Sequence, residues 1–396
     1  MIHRIMIIAI LAGILFAAVP QWFPPRDFVE YYSAAKVFAS GGDPYDGAQL
    51  LPVQRDITGD PALKIAVSLW TPPYTLAIYA PFALLPFHTA HFVWLIVQTI
   101  LLATSVELIG RRYGGPHIAM WLAQLIAFGF SPFFWNLHFG QNTGFIVLGL
   151  AGFLWFRPTR PMLAGAFAAL TAIKPHLLAV FGVLLIWDAW TRDGRRALLG
   201  GIALLALGSL FALSVQPHIF EWFVDALRRP AVPETTPLAD WHVPLLSYEF
   251  RRAVDPNRFW LQFVPLGIAV IAVIAWQWKR RIDWPMALPC AVVLSCLVAP
   301  YGGWIFDLTV LILPVLFVLT RRRNASETAG PLFTFLGVAL ISWFGFRIEG
   351  LAEPLWFTPA VAVVLGYGRY KLGGGESGRW RVDRKEGEKQ PSENSL

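Results

Sequence analysis

Long apolar runs recur along most of the sequence, and they constrain the fold more than any other feature. Each run holds about 15 to 22 mostly hydrophobic residues, which is long enough for a helix to cross a lipid bilayer. Hydrophobic residues make up 56% of the 396 positions, a larger share than soluble proteins usually have. The sequence therefore predicts an all-α, polytopic membrane protein.

Cysteine usage and net charge argue against several other classes. The two cysteines, Cys290 and Cys296, both lie in one apolar run, which excludes a disulfide framework and argues against a metal or redox pair. The net charge of +7 comes from Lys and Arg that cluster in short loops. Because such clusters mark the cytoplasmic side of a membrane protein, we attribute the charge to topology and do not predict nucleic-acid binding.

The basic loops set the predicted topology. Five clusters should be cytoplasmic, namely Arg111–Arg112, 157–160, 192–196, 279–281 and 321–323. Counting crossings between them predicts about twelve transmembrane helices with both termini in the cytoplasm. They are expected near residues 3–20, 88–110, 115–132, 143–156, 161–173, 176–190, 197–215, 259–279, 285–299, 304–320, 331–346 and 354–369. The first segment also resembles a signal peptide, but its length and the absence of a clean cleavage site favour an uncleaved helix.

Two long polar loops, at about 21–87 and 216–258, are extracytoplasmic in this topology. Residues 72–87 in the first loop are apolar, but they are short and interrupted by prolines. Counting them as a span would also place Arg111–Arg112 outside. We therefore predict an interfacial amphipathic helix at 72–87.

The predicted domain organisation is simple. Residues 1–370 are expected to form one transmembrane domain, and the Gly-rich, charged residues 371–396 a disordered cytoplasmic tail. The expected location is a plasma membrane, that is, a bacterial inner membrane. His88 and His91 are spaced i, i+3 but have no third ligand nearby in the sequence, so no metal site is predicted.

Acidic residues are concentrated in RDFVEYYSAAKVFASGGDPYD, residues 26–46, just after the first predicted span. Asp27 followed by Glu30 fits a helix start, with an N-cap acceptor and an acid three residues later. The helix would end at Gly41–Gly42. Its apolar face would carry Tyr31, Ala34, Ala35 and Phe38. Helix capping alone can therefore account for these acids.

A catalytic interpretation of Asp27 starts from its predicted depth. A carboxylate just beyond the first membrane helix lies among the lipid headgroups, where a lipid-linked substrate would present its phosphate and sugar. A base at that depth could take a proton from an attacking hydroxyl. The capping and catalytic interpretations are compatible, and both stay open at this point.

Ordered motifs give the sequence a family resemblance. The pattern D-x-x-x-Y-Y-x-A-A followed by G-x-D-P-Y resembles the start of glycosyltransferase family 87. It is carried by Asp27, Tyr31, Tyr32, Ala34, Ala35, Gly42, Asp43, Pro44 and Tyr45. Further matches in the family's order are Thr71–Pro72–Pro73, Gly140–Gln141–Asn142, Lys174–Pro175, Ala299–Pro300–Tyr301 and Asp307. Thr71 stands where an aromatic is usual and Ala299 where Ser is common, so neither is given a role.

The resemblance implies a GT-C-type bundle and transfer of a sugar, mannose above all, from a polyprenyl-phosphate donor. The acceptor would be a hydroxyl of an extracytoplasmic lipid or glycan, with inversion at the sugar carbon and Asp27 as general base. The lipid-linked sugar is then a substrate, and neither a cofactor nor a divalent metal is expected. Substrate-binding roles are expected for Tyr31, Tyr32, Asp43, Tyr45, His138, Gln141, Asn142, Lys174, His176, Tyr301 and Asp307.

Each of these further residues also has a structural explanation. Residues 136–142 are expected to form a tight outer loop, in which Gln141 and Asn142 either contact sugar hydroxyls or cap the chain. Lys174 either extends to the membrane surface or meets the donor phosphate, helped by His138 or His176. Asp307 either interacts with a helix dipole or joins the site.

Two other functional classes stay open. A lipid or solute transporter would place acids and bases near the middle of the membrane and show repeated halves, whereas most acids here lie at predicted outer helix ends. A GT-C-like ligase or polymerase would use a preassembled lipid-diphosphate glycan. The requirement for a lipid-monophosphate sugar would distinguish it from the transferase.

Overall fold

The protein is described here by a computed structural model that covers residues 23–114, 120–228, 245–278, 280–320, 337, 361–363, 365 and 366. Every regular element within these ranges is a helix, which confirms the all-α prediction. The predicted helix at 3–20, all of that at 331–346 except residue 337, most of that at 354–369 and the tail at 371–396 lie outside the described residues.

Short helices form the first part of the described chain. They are α1 (Phe28–Ala39), α2 (Gly47–Thr58), a 3-10 turn (Pro73–Thr75), α3 (Leu76–Tyr79) and a second 3-10 turn (Ala80–Leu84). Residues 72–87 are thus three short pieces instead of the single amphipathic helix predicted, because prolines interrupt helical hydrogen bonding. Leu76 and Tyr79 are buried inside the protein. An interfacial position for this segment remains a prediction.

The longer helices follow. They are α4 (Phe87–Gly114), α5 (Met120–Phe128), α6 (Ser131–Phe139), α7 (Thr143–Phe156), α8 (Pro161–Ala169) with a 3-10 turn (Leu170–Ile173), α9 (Ala179–Asp188), α10 (Arg192–Val215), α11 (Ile219–Arg228), α12 (Leu246–Val254), a 3-10 turn (Phe259–Phe263) leading into α13 (Val264–Gln277), α14 (Trp284–Val298), and a 3-10 turn (Asp307–Leu311) leading into α15 (Ile312–Thr320). Three of these segments are long and apolar enough to cross a membrane: α4, α10 and Phe259–Gln277. The total of about twelve spans remains a prediction.

One predicted span and the loop after it differ from the structure. The span expected at 115–132 is represented by α5, which ends at Phe128, and the chain then starts α6 at Ser131. Helix α6 continues to Phe139, so most of the loop expected at 136–142 is helical. Only the turn at Gly140 to Asn142 separates α6 from α7.

Two hydrophobic cores meet along α4. The larger core lies among α4 to α9, α14 and α15. The smaller core joins α1, α2 and the broken segment at 73–84 to the first turns of α4. Trp94 of α4 is fully buried, and its ring contacts those of Phe28, Tyr31 and Tyr79. This aromatic contact holds the loop helices on the bundle.

Glycines let α8 and α10 pack with their backbones in contact. A Cβ atom at Gly165 would lie 1.6 Å from the Ala197 carbonyl oxygen, and one at Gly200 would lie 1.8 Å from that of Met162. Small residues permit such close helix contact in membranes, where dispersion replaces the hydrophobic effect. The close contact fixes α10 beside the 3-10 turn that ends α8.

A buried ion pair joins three helices at one end of the bundle. The Asp188 carboxylate accepts hydrogen bonds from Arg157 Nη2 at 2.6 Å and from Trp284 Nε1 at 2.8 Å. Asp188 ends α9, Arg157 follows α7, and Trp284 starts α14. Both charged side chains are largely buried, so each needs the other to neutralise its charge.

We predict that Asp188→Ala destabilises the fold strongly, because it leaves the guanidinium of Arg157 buried without its counter-ion. Removing one member of a buried pair lowers the free energy of unfolding by about 3–5 kcal/mol. Unfolding by SDS titration of the detergent-purified protein measures the change.

The matched control is Asp193→Ala, which breaks an exposed pair with Arg196. Exposed pairs contribute at most about 1 kcal/mol. Equal effects of the two substitutions would show that the Asp188 pair does not hold the helices together.

Candidate active site

Four distant segments bring polar side chains together in one network. Asp27 precedes α1, Gln141 lies in the turn after α6, Lys174 follows the 3-10 turn of α8, and Asp307 starts the last 3-10 turn. Gln141 Nε2 donates to Asp27 Oδ2 at 2.5 Å, and Lys174 Nζ donates to Gln141 Oε1 at 2.7 Å. Lys174 Nζ also donates to Asp307 Oδ1 at 2.6 Å. The chain of contacts therefore links two carboxylates through an amide and an ammonium group.

Asp27 occupies the N-cap position of α1 but does not cap it through its side chain. No side-chain capping hydrogen bond forms there, and the residue has a helical backbone conformation. Its amide instead donates to the carbonyl of Phe139 at 2.8 Å. The Glu30 side chain likewise does not return to Asp27, since it accepts from the amide of Trp70 at 3.3 Å. Asp27 thus lies at the predicted N-cap position but does not provide the expected capping hydrogen bond, and its carboxylate faces the network.

A left-handed turn at Gly140 positions Gln141. Gly140 has φ +70°, and a Cβ atom there would lie 2.8 Å from the Cβ of Phe28. Only glycine adopts this conformation easily and leaves room for α1. The Gly140 carbonyl accepts from Trp94 Nε1 at 2.9 Å. The predicted turn is confirmed, and its close approach to α1 brings Gln141 within reach of Asp27.

Lys174 forms a buried ion pair instead of extending to the membrane surface. Only 11% of the Lys174 side chain and 2% of the Asp307 side chain are exposed. The ammonium also lies 5.0 Å from the centre of the Phe306 ring. Asp307 Oδ2 accepts from the backbone amides of Gly303 and Trp304, so Asp307 both orders its own loop and neutralises Lys174. Of the two interpretations of Lys174, extension to the membrane surface does not match this buried position, and contact with a donor phosphate remains a prediction.

The carboxyl groups near the network have perturbed acidity. Burial raises the pKa of Asp27 above its ordinary value, although the hydrogen bond from Gln141 and the charge of Lys174 oppose the shift. Burial, aided by the negative charge of Asp27, raises the pKa of Glu30 to about 8. At neutral pH Glu30 is therefore mostly protonated. Such shifts are frequent at functional sites, where a base needs a pKa closer to neutrality.

His176 and Tyr301 lie beside the Lys174–Asp307 pair. Their ring centres are 4.3 Å apart, and His176 Nε2 lies against the backbone of Gly302. Burial lowers the pKa of His176 to about 4, so its imidazole is neutral at physiological pH. A neutral imidazole can donate or accept a hydrogen bond at the site but adds no positive charge.

A comparison with protein-family models decides the family. The model described as glycosyltransferase family 87 matches residues 70–300, which is more than half of the chain. The chain belongs to glycosyltransferase family 87. The family resemblance of the sequence motifs is thus confirmed, and transfer of a sugar to an acceptor is the activity class of this protein. Comparisons with curated proteins and with solved structures give no match.

The family match covers only part of the polar network. Gln141 and Lys174 lie within residues 70–300, whereas Asp27 and Asp307 lie on either side of that range. The connection of all four is therefore a finding of the structure, through the contacts given above.

Three other residues of the glycosyltransferase motifs have structural contacts away from the Lys174–Asp307 pair. The Tyr32 hydroxyl donates to the carbonyl of Leu85. The Asp43 carboxylate accepts from the amide of Tyr45 in a turn, while the Tyr45 hydroxyl donates to the carbonyl of Thr71. Substrate contacts of these residues remain predictions.

Asn142 and His138 lie on either side of Gln141 in the sequence and make contacts with aromatic residues. Asn142 Nδ2 donates to the hydroxyl of Tyr79 at 2.8 Å, and the His138 ring stacks on Phe134. Tyr31, by contrast, does join the network, since its hydroxyl donates to Gln141 Oε1 at 2.9 Å.

Sequence reasoning missed two residues beside Asp27. Sequence reasoning gives Glu30 only a helix-start role, although an acid on a helix face that also carries Tyr31 and Ala34 indicates a buried carboxyl group. Arg26 is exposed, and its guanidinium lies 5.2 Å from the centre of the Phe139 ring. It is a second cation at the site. Among the described residues, no cluster of three or more His, Cys, Asp or Glu is arranged for a metal ion.

We predict that Glu30→Gln removes a pH dependence of stability. The native pKa of about 8 lies above the ordinary value of 4.5, so the folded protein binds the Glu30 proton more tightly than the unfolded chain. Wild-type stability should therefore fall as pH rises from about 4.5 to about 8, when the buried group must ionise. The glutamine variant should lose this fall and gain stability at pH 8. Thermal unfolding in detergent across this range measures both effects.

Asp56→Asn is the control, because Asp56 is an exposed carboxylate on α2. It should retain the wild-type pH dependence. A Glu30→Gln profile that parallels the wild type from pH 5 to 8 would contradict a buried, protonated Glu30.

Proposed function

We propose that this glycosyltransferase transfers a sugar, mannose on the family resemblance, from a polyprenyl-phosphate donor to a hydroxyl of an extracytoplasmic lipid or glycan. The proposal rests on the Asp27 carboxylate, which is not used for capping and is held in a network with a buried lysine. The location in a bacterial inner membrane and the outward-facing site belong to the same proposal.

Asp27 is suited to act as general base. The network uses only its Oδ2 atom, through the hydrogen bond from Gln141. The other oxygen can accept the proton of an acceptor hydroxyl as that hydroxyl oxygen attacks the anomeric carbon. Its raised pKa makes it a stronger base than an ordinary carboxylate. The bond between the anomeric carbon and the donor phosphate breaks in the same step, the phosphate leaves on its lipid, and the configuration inverts.

Positive charge at the site can stabilise the departing phosphate. Lys174 is connected to Asp27 through the Gln141 amide, and Arg26, the residue before Asp27, is exposed and close enough for its charge to act on Asp27. Cations that are fixed before the reaction stabilise developing negative charge without further reorganisation. His176 can add a hydrogen bond. These residues can therefore stabilise a lipid-monophosphate leaving group, and the proposal includes neither a cofactor nor a metal ion.

An apolar groove beside the site fits the lipid part of such a donor. The groove has a volume of about 590 Å³ and lies between α10, residues 73–78 and the 3-10 turn that ends at Ile173. Its lining includes Leu207 and Phe211, and Ile173 directly precedes Lys174. The Tyr74 hydroxyl donates to the carbonyl of Ala172 and so connects two of its walls. A lipid chain in this groove would place its phosphate near Lys174.

Family membership favours transfer over the transporter alternative. A ligase or polymerase that uses a lipid-diphosphate glycan remains the second candidate. Purified protein in liposomes, given either a radiolabelled polyprenyl-phosphate sugar or a lipid-diphosphate oligosaccharide, distinguishes the two. Consumption of the monophosphate donor alone supports the proposal, whereas consumption of the diphosphate donor alone overturns it.

We predict that Asp27→Asn abolishes transfer while expression and membrane insertion stay normal. Loss of a general base lowers kcat by about 10²- to 10⁴-fold, and asparagine keeps the shape and can still accept from Gln141 after an amide rotation. Transfer of radiolabel from the lipid donor measures the rate. Asp60→Asn, at an exposed turn of the same loop, is the control. Near-normal turnover of Asp27→Asn would refute its role as base.

We also predict that Lys174→Ala raises the donor KM or lowers kcat, because the phosphate loses a charged donor. A charge-assisted hydrogen bond corresponds to roughly a ten- to hundredfold effect. Comparison with Asp307→Asn separates catalysis from structure, since that variant removes the ion pair but keeps the cation. A binding role predicts that donor KM rises only in Lys174→Ala. Equal losses of stability and activity in both variants would assign Lys174 a structural role.

A further inference from the structure

A second groove lies at the end of the bundle far from Asp27. Its volume is about 380 Å³, and it lies between α9, α13 and α14. Helix α14 runs from Trp284 beside this groove to Val298, and the loop that follows carries Asp307. At 1.5 Å per residue, this helix separates the groove mouth from the active-site loop by about 22 Å. The groove is therefore distinct from the proposed donor site.

The groove combines an apolar interior with a charged mouth. Its deeper wall consists of aliphatic and small side chains, including Val180, Leu184, Val273 and Leu294. Arg280, Arg281 and Asp283 line the mouth, which therefore carries a net positive charge. Neither arginine forms an ion pair with another described residue. An occupant must accordingly be apolar along most of its length and negatively charged at one end.

Tryptophans place the mouth at the level of a membrane surface. Trp276 and Trp278 are both more than half exposed, and the ring of Trp278 lies 5.7 Å from that of Trp187. The Arg280 guanidinium lies 4.6 Å from the centre of the Trp276 ring. Exposed tryptophans and arginines are enriched where hydrocarbon meets headgroups. The groove thus opens to lipid at headgroup depth.

We propose that this groove is a binding site for one anionic phospholipid. Arg280 and Arg281 bind the headgroup phosphate, and one acyl chain lies along Val273, Leu184 and Leu294 between α13 and α14. The residues from Met286 to Leu294 on α14 extend the groove by about 12 Å, which suits an extended hydrocarbon chain. Basic pockets between membrane helices bind anionic headgroups in this way. The proposal does not depend on the sugar donor or on Asp27.

Removal of the Asp283 carboxylate should change lipid binding in the opposite direction to removal of the arginines. Asp283 lines the same mouth and repels an anionic headgroup. Asp283→Asn should therefore strengthen binding of an anionic lipid, whereas loss of the arginines should weaken it. A groove that bound any lipid through apolar contact alone would respond to neither change.

Native mass spectrometry of the detergent-purified full chain tests the proposal. Phosphatidylglycerol and phosphatidylcholine with identical acyl chains are added separately. The wild type should retain one phosphatidylglycerol in preference, and Arg280→Gln/Arg281→Gln should weaken that binding roughly tenfold or more. Arg192→Gln/Arg195→Gln, which removes two exposed arginines of α10, should bind like the wild type. Equal losses in both double variants, or equal wild-type binding of the two lipids, would overturn the proposal.

A second pair of variants tests the acyl-chain path without a change of charge. Val273→Trp fills the groove, whereas Ile271→Trp places the same ring on the exposed side of α13. Only Val273→Trp should lower phosphatidylglycerol binding, and gel filtration confirms that both variants fold. A photo-crosslinker at residue 273 should capture lipid. Capture of a peptide from residues 321–396 of the same chain would show that the chain itself fills the groove, and would overturn the proposal.

Discussion

The amide of Gln141 is the interaction on which the proposed active site depends. Lys174 can only donate to it, so its oxygen must face Lys174, where it also accepts from the Tyr31 hydroxyl, and its nitrogen must face Asp27. This orientation supplies a hydrogen bond to the charged form of Asp27, and it commits only one of the two carboxylate oxygens. Gly140 makes the arrangement possible, because no other residue fits its left-handed turn so close to α1. One amide thus couples the proposed base to the proposed phosphate-binding cation.

Charge balance at the site would determine how the proposed lipid-phosphate donor binds. Asp307 already neutralises Lys174, and protonation of Glu30 removes a second negative charge at neutral pH. Of the three carboxyl groups, Asp27 is then the one whose negative charge is balanced neither by an ion pair nor by protonation. A donor phosphate would add negative charge beside it, so Arg26 becomes important as an exposed cation that can approach the phosphate without breaking the buried pair. Proton uptake by Asp27 from the acceptor would further reduce repulsion as the leaving group gains charge.

The sequence predicted the helix class and many helix positions, because apolar runs and glycine or proline breaks are local signals. It also identified Asp27, Gln141, Lys174 and Asp307 as candidates. It could not show that these residues form one network, since Lys174 and Asp307 are 133 positions apart. Local rules favoured capping by Asp27 and left surface extension of Lys174 open, and the tertiary contacts of both residues differ from these local expectations. Glu30 escaped notice for the same reason, because its burial depends on Trp70 in a separate loop segment.

The position of the network follows from the chemistry of helix ends. Backbone groups in the last turn of a helix lack partners, and hydrocarbon supplies none, so polar side chains must satisfy them. Around the site Asp307 accepts from two loop amides, Gln262 donates to the carbonyl of Pro300, and Trp94 donates to that of Gly140. The turns that end the helices here therefore already require buried polar groups. A catalytic carboxylate and its cation can share hydrogen bonds with these polar groups. Between two apolar helices no such partners exist, so the cost of removing both charges from water would not be offset.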